Sequence, residues 1–182
     1  MAKLGYGKEV MLKVIDERPD WGKTAIMKMM YILQRLFGVR LGHTFSIYTH
    51  GVYASTVTDE QEQLIYAGYV DAEVYEYKES LGYKLRISEK GKKVISAMPA
   101  GALMDEDKIV MALELFREKS ARDLELDSTI IYVKCQYQRH GWPTAEQDVN
   151  DIIESVCAIK PHFSSEEIKD AYDRLKDVLP AA

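Results

Sequence analysis

Residues 55–87 read STVTDEQEQLIYAGYVDAEVYEYKESLGYKLRI, and the succession of patterns in this stretch decides the fold. A helix is expected from about residue 55 to 67, with a sparse apolar set of Val57, Leu64 and Ile65 and with Gly68 as its C-cap. Residues 72–77 and 83–87 are then two β-rich runs joined by Lys78, Glu79, Ser80, Leu81 and Gly82, the pattern of a β-hairpin. Upstream, residues 8–17 (KEVMLKVIDE) put Val10, Met11, Val14 and Ile15 on one side of a short helix that Pro19 ends. After the Trp21-Gly22 break, Ile26, Met29, Met30, Leu33 and Phe37 recur at helical spacing, and Gly38 supplies the stop. Thr44 to Tyr48 alternates and reads as one short strand before a turn at His50-Gly51. Downstream, Ser88 caps a helix running to Met98, which Pro99 closes.

Helix, helix, short strand, helix and two-stranded hairpin is the order of a winged helix-turn-helix, so residues 1–99 are expected to form a winged-helix domain. Pro99-Ala100-Gly101-Ala102 lacks periodic hydrophobicity and marks the boundary with a C-terminal helical subdomain, residues 103–182. There Asp105 is placed to cap a helix carrying Ile109, Ala112, Leu113 and Phe116. A longer helix follows Asp123, with Leu126, Ile130, Val133 and Tyr137, and stops at Gly141 before Pro143. Thr144 with Gln147 and Ser164 with Glu167 have capping-box spacing, and Phe163 with Ile168 fits a hydrophobic staple. The expected class is mainly α with a small β-hairpin, α+β.

A chain of 182 residues buries a sizeable core without disulfides, and Cys135 and Cys157 are read as buried free thiols of a reducing compartment. The start, MAKLGYGKEV, has no signal-peptide pattern, and no apolar run approaches the length of a membrane span, so a cytoplasmic protein without membrane contact is expected. The net charge of −5 argues against coating nucleic acid through charge alone. The charge is uneven: residues 1–40 carry +4 and the remainder −9.

Three groups of residues resemble a known family. They are Lys23 to Gln34 (KTAIMKMMYILQ), Tyr48 to Ser55 (YTHGVYAS) and Leu64 to Val70 (LIYAGYV), with Leu124 to Ile130 and Ile159 to Ser164 further on. Their order resembles the YwgA-like proteins of bacteria and archaea, and the first two signatures are shared by the Panacea-type antitoxin domain. Ala25-Ile26 stands where that family has Leu-Gln, and Val52 where it has Pro. The resemblance implies a winged-helix part and a regulatory or antitoxin-like role.

The function expected first is a DNA-binding transcriptional regulator, since a winged helix usually lays its third helix in the major groove and its hairpin on the backbone. Ser55, Thr56 and Thr58 would then lie nearest the bases, and Lys84, Arg86, Lys90, Lys92 and Lys93 would touch phosphates of double-stranded DNA. The third helix, however, carries Asp59, Glu60 and Glu62 and no cation before Tyr66, which either repels phosphate or is a solvated face favoured by the helix dipole. Any duplex binding is therefore expected to be weak and salt-dependent, and lost in Lys84→Glu with Arg86→Glu.

The alternative is a protein-interaction module, antitoxin-like or adaptor, that uses Tyr48, Tyr53, Tyr66, Asp59 and Glu62 on a protein partner. The many tyrosines between residues 48 and 83 suit either a packed sheet or such a contact. Homodimerisation through the C-terminal helices is also expected, from their surplus of apolar positions. Cys135 with His140 and Cys157 with His162 have ligand types but a spacing that turns the side chains apart, so no metal is expected. No cofactor is expected, and no catalytic motif beyond the nominal pairs His50 with Ser46 and Asp59 with Glu62, so the chain is not read as an enzyme.

Overall fold

Residues 25–33 (AIMKMMYIL) are buried without a break, so the helix that carries them has no solvent face and becomes the centre of the fold. A computed structural model describes residues 4–77, 80–99, 101–139 and 149–179 of the chain. In these, α1 (Tyr6–Glu17) and the central α2 (Lys23–Arg35) are followed by β1 (Ser46–Tyr48), β2 (Gly51–Tyr53) and α3 (Ser55–Tyr66). Then come β3 (Val70–Tyr77), β4 (Ser80–Ile87), α4 (Glu89–Ala97), α5 (Glu106–Leu115), α6 (Ala121–Arg139), α7 (Val149–Ile159) and α8 (Ser165–Leu175). The protein is mainly helical with two small antiparallel sheets, an α+β fold.

The two sheets are separate hairpins. β3 and β4 pair from Val70 opposite Ile87 to Tyr77 opposite Ser80, a tighter reversal than the five-residue connection expected from the sequence; Lys78 and Glu79 lie outside the described residues. β1 and β2 pair about His50, with Tyr48 opposite Gly51, where the sequence suggested one strand only. β2 is only Gly-Val-Tyr, too short to announce itself by alternation. The longer hairpin is tied to α2 at its base. Leu85 N donates to Trp21 O at 3.0 Å, and a Cβ on Gly22 would fall 2.0 Å from the Tyr83 carbonyl, so only glycine lets the strand approach. Leu85 itself is fully buried.

The helices beyond residue 103 pack on the same core. Tyr31 of α2 meets Tyr132 of α6 at 6.3 Å between rings, and Phe37 meets Phe116 at 6.4 Å. Leu124, Ile130, Ile152, Val156, Ile168 and Ala171 have no exposed surface, so the apolar surplus of α6, α7 and α8 is used inside the molecule. The exposed apolar side chains of this half include Val110, Met111 and Leu115 on α5, Met104 before it and Val178 past α8.

At the helix starts, Ser164 and Glu167 form the expected capping box, and Ser88 accepts from Gly91 N. Asp105 does not cap α5. Instead its carboxylate accepts from Tyr6 Oη at 3.1 Å and Arg40 N at 3.3 Å, tying α5 to α1 and to the segment after α2. Its other oxygen accepts from Lys108 Nζ at 3.0 Å, so both carboxylate oxygens are engaged away from the backbone N–H groups of the first turn, although Asp105 holds the N-cap position. The expected Thr144 and Gln147 capping box, the Gly141 and Pro143 stop and His140 lie outside the described residues. Cys135 and Cys157 are free and half-buried. Among the described residues no helix is long and apolar enough to cross a membrane.

Candidate functional site

A lysine in the middle of an all-round buried helix has nowhere to send its charge. Lys28 of α2 is 3% exposed, and its Nζ donates to the Val52 carbonyl of β2 at 2.7 Å. That geometry depends on the β1–β2 turn. Gly51 has φ +91°, which side-chain-bearing residues rarely adopt, and a Cβ there would lie 3.3 Å from Lys28 Nζ. On the other side of the turn, Lys160, just past α7, has no exposed surface and donates to Thr49 O at 2.5 Å and to Glu125 Oε1 of α6 at 2.6 Å. His162 Nε2 stands 3.6 Å from the same Glu125 oxygen.

The buried cluster thus holds two ammonium groups and one carboxylate. Burial pushes the Lys28 ammonium down to about 8 from an ordinary 10.5; Glu125 opposes that shift and Lys160 adds to it. Glu125 is committed at hydrogen-bond distance to Lys160, so it compensates the charge of Lys28 only from further off and in part. It borders a cleft of about 570 Å³ between α2, α3 and the β1–β2 hairpin. Met27, Tyr48 and Tyr53 supply apolar lining, with the two tyrosine rings edge to face at 5.8 Å, and Lys23 and His50 also reach it.

Tyr48, Tyr53 and Thr58 of this cleft were singled out from the sequence, whereas Lys28, Glu125 and Lys160 were not, yet each of these three lies in a stretch read as family-like. Lys28 belongs to the first, Thr49, Gly51 and Val52 to the second, Glu125 and Lys160 to the two C-terminal ones. The available signal was a lysine interrupting a run of apolar residues on a helix with no polar face.

The residues that were singled out are dispersed. Lys84 sits opposite Glu73 in register, with its ammonium 5.5 Å over the Tyr75 ring. Arg86 lies opposite Asp71 and reaches Glu73 Oε2 at 3.5 Å. Lys90 donates to the Ala67 carbonyl at 2.7 Å, satisfying the end of α3, and Lys92 pairs with Glu89 at 2.9 Å. Lys93 is exposed. The positive run of β4 and α4 is thus faced by carboxylates of β3 and of α4 itself.

On α3, Ser55 and Asp59 are exposed. Thr56 shares a 2.8 Å hydrogen bond with His43 Nδ1, and Thr58 lines the cleft. Glu62 pairs with Lys23, whose ammonium also lies 4.6 Å over the Tyr83 ring. Tyr48, Tyr53 and Tyr66 are 61%, 40% and 96% exposed, far more than a packed sheet leaves. Beneath this surface the His43 imidazole lies 3.5 Å from Glu60; burial lowers the pKa of the first and raises that of the second, which favours the neutral form of both. Cys157 Sγ lies 3.6 Å from Ser165 Oγ, while His162 faces Glu125 instead.

Comparison with protein-family models gave no match for the chain, and a search of curated proteins gave none either.

Proposed function

We propose that the chain is a cytoplasmic protein-interaction module on a winged-helix scaffold, antitoxin-like or adaptor, and that it engages a Lys/Arg-rich segment of a protein partner. The order α1, α2, short hairpin, α3, long hairpin is compatible with that scaffold. The meeting of four of the five family-like stretches around Lys28 favours the resemblance to YwgA-like proteins. One observation carries the choice of partner. The outer face of α3 offers exposed Asp59 beside an almost wholly exposed Tyr66, with Glu62 shared with Lys23, while Lys84 and Arg86 of the long hairpin already face Glu73 and Asp71.

Phosphate neutralisation supplies most of the non-specific affinity for DNA, and Lys84 and Arg86, set in register against Glu73 and Asp71, add no net positive charge toward it. An acidic face with exposed tyrosines suits a basic protein surface, where rings give contact area at low entropic cost. Self-association belongs to the same reading, through Val110, Met111 and Leu115 of α5, and light scattering at two concentrations tests it.

A photo-crosslinking residue at position 66 tests the partner in cells. Crosslinks to a Lys/Arg-rich segment of one protein are expected, lost on Asp59→Lys with Glu62→Lys. Duplex DNA at ~50 mM salt is expected not to bind. Duplex binding that disappears in Lys84→Glu with Arg86→Glu would overturn the proposal in favour of a transcriptional regulator.

A further inference from the structure

We propose that the cleft bordered by Lys28 is a binding site for a small aromatic monocarboxylate. The proposal goes beyond the interaction reading and does not rest on it.

Charge sets the sign and the number. Lys28 and Lys160 stand against Glu125, leaving one positive charge in excess, and Lys160 is held by Glu125 and by Thr49 O. Among the described residues Lys28 has one acceptor, the Val52 carbonyl, for an ammonium with three N–H donors. A buried ammonium so placed favours an anion beside it, because a charge taken out of water is stabilised by a partner at hydrogen-bond distance. The depression of the Lys28 pKa to about 8 would be relieved by the same anion. Lys23, the other lysine lining the cleft, is paired with Glu62, so the one excess charge calls for a monoanion.

The walls set the rest of the ligand. About 570 Å³ is within the range of small-molecule sites. Met27 and the edge-to-face pair Tyr48 and Tyr53 offer apolar and aromatic lining, which suits a flat aromatic body. Thr24, Thr58 and Gln61 add neutral polar groups, and none of the residues lining the cleft is acidic.

Isothermal titration calorimetry of the full chain with 1-naphthoate, its uncharged amide and inorganic phosphate tests the idea. Naphthoate is expected to bind saturably, the amide about tenfold or more weaker, and phosphate not to compete. Lys28→Gln should weaken naphthoate by about tenfold or more, while Lys93→Gln, at an exposed lysine that does not line the cleft, leaves it unchanged. Tyr48→Ala, at a largely exposed ring, keeps the fold and should weaken naphthoate several-fold, so the test stands even if Lys28→Gln does not fold. Equal binding of acid and amide, displacement of naphthoate by phosphate, or no saturable heat at millimolar naphthoate each overturn the proposal.

Discussion

Replacing Lys28 by methionine keeps an unbranched side chain, one atom shorter, and deletes the charge that α2 buries. Burial brings its pKa from 10.5 to about 8, with Glu125 opposing and Lys160 assisting. At about 1.4 kcal/mol per pH unit, holding that proton at pH 7 costs the folded state about 3 kcal/mol. The variant recovers this cost but leaves the Val52 carbonyl without its donor, a loss of about 1–3 kcal/mol. At pH 7 it is therefore expected to be as stable as the parent or up to about 2 kcal/mol more stable.

The pH dependence is sharper. Unfolded Lys28 keeps its proton to about 10.5 and folded Lys28 releases it near 8, so the unfolded chain binds more protons in that window and parental stability rises with pH. Relative to the variant, the parent should gain about 2.5 kcal/mol between pH 7 and pH 10. Urea unfolding at both pH values, followed by the fluorescence of buried Trp21, measures the difference, in which titrations common to both chains cancel. A parent-minus-variant difference that stays flat, or falls, across this window refutes the account of Lys28.

Three further outcomes follow from the same contacts. Gly51→Ala places a Cβ against Lys28 at φ +91° and should cost about 1–3 kcal/mol, read as a fall in Tm of about 3–10 °C by calorimetry. Glu60→Gln should raise the unfolding midpoint at pH 7 and lose that advantage near pH 4. Burial raises the folded pKa of Glu60, so the carboxylate destabilises the parent only where it is ionised, and the neighbouring His43, its own pKa lowered, gives it no cation at pH 7. Leu85→Ala removes a fully buried anchor of the long hairpin and should cost about 2–5 kcal/mol in urea unfolding; a loss under about 1 kcal/mol would mean the hairpin is not docked on α2.

The helices were legible because their signals are local. Ile26, Met29, Met30 and Leu33 lie on successive turns whatever the rest of the chain does, and all are buried in α2. The Ser164 and Glu167 box likewise needs only a gap of three residues. The hairpin from Val70 to Ile87 was visible as two β-rich runs, whereas β2, three residues long, was not. Counting charge along the chain also does not show what faces Lys84 and Arg86. Their neighbours in space, Glu73 and Asp71, are more than ten residues away in sequence, and register alone brings them opposite.

By itself, then, the sequence determined the α+β class, the order of most elements and the acidic character of α3, since these rest on period, caps and composition within a few residues. Tertiary structure alone decided that Lys28 loses its solvent. It also brought Glu125 and Lys160, from opposite ends of two later helices, to the β1–β2 turn and left one ammonium unmatched beside a cleft. The reason is physical. An ion's free energy depends on every dipole and charge packed around it, and for Lys28 those groups come from α2, β2, α6 and the end of α7, which only the closed core brings together.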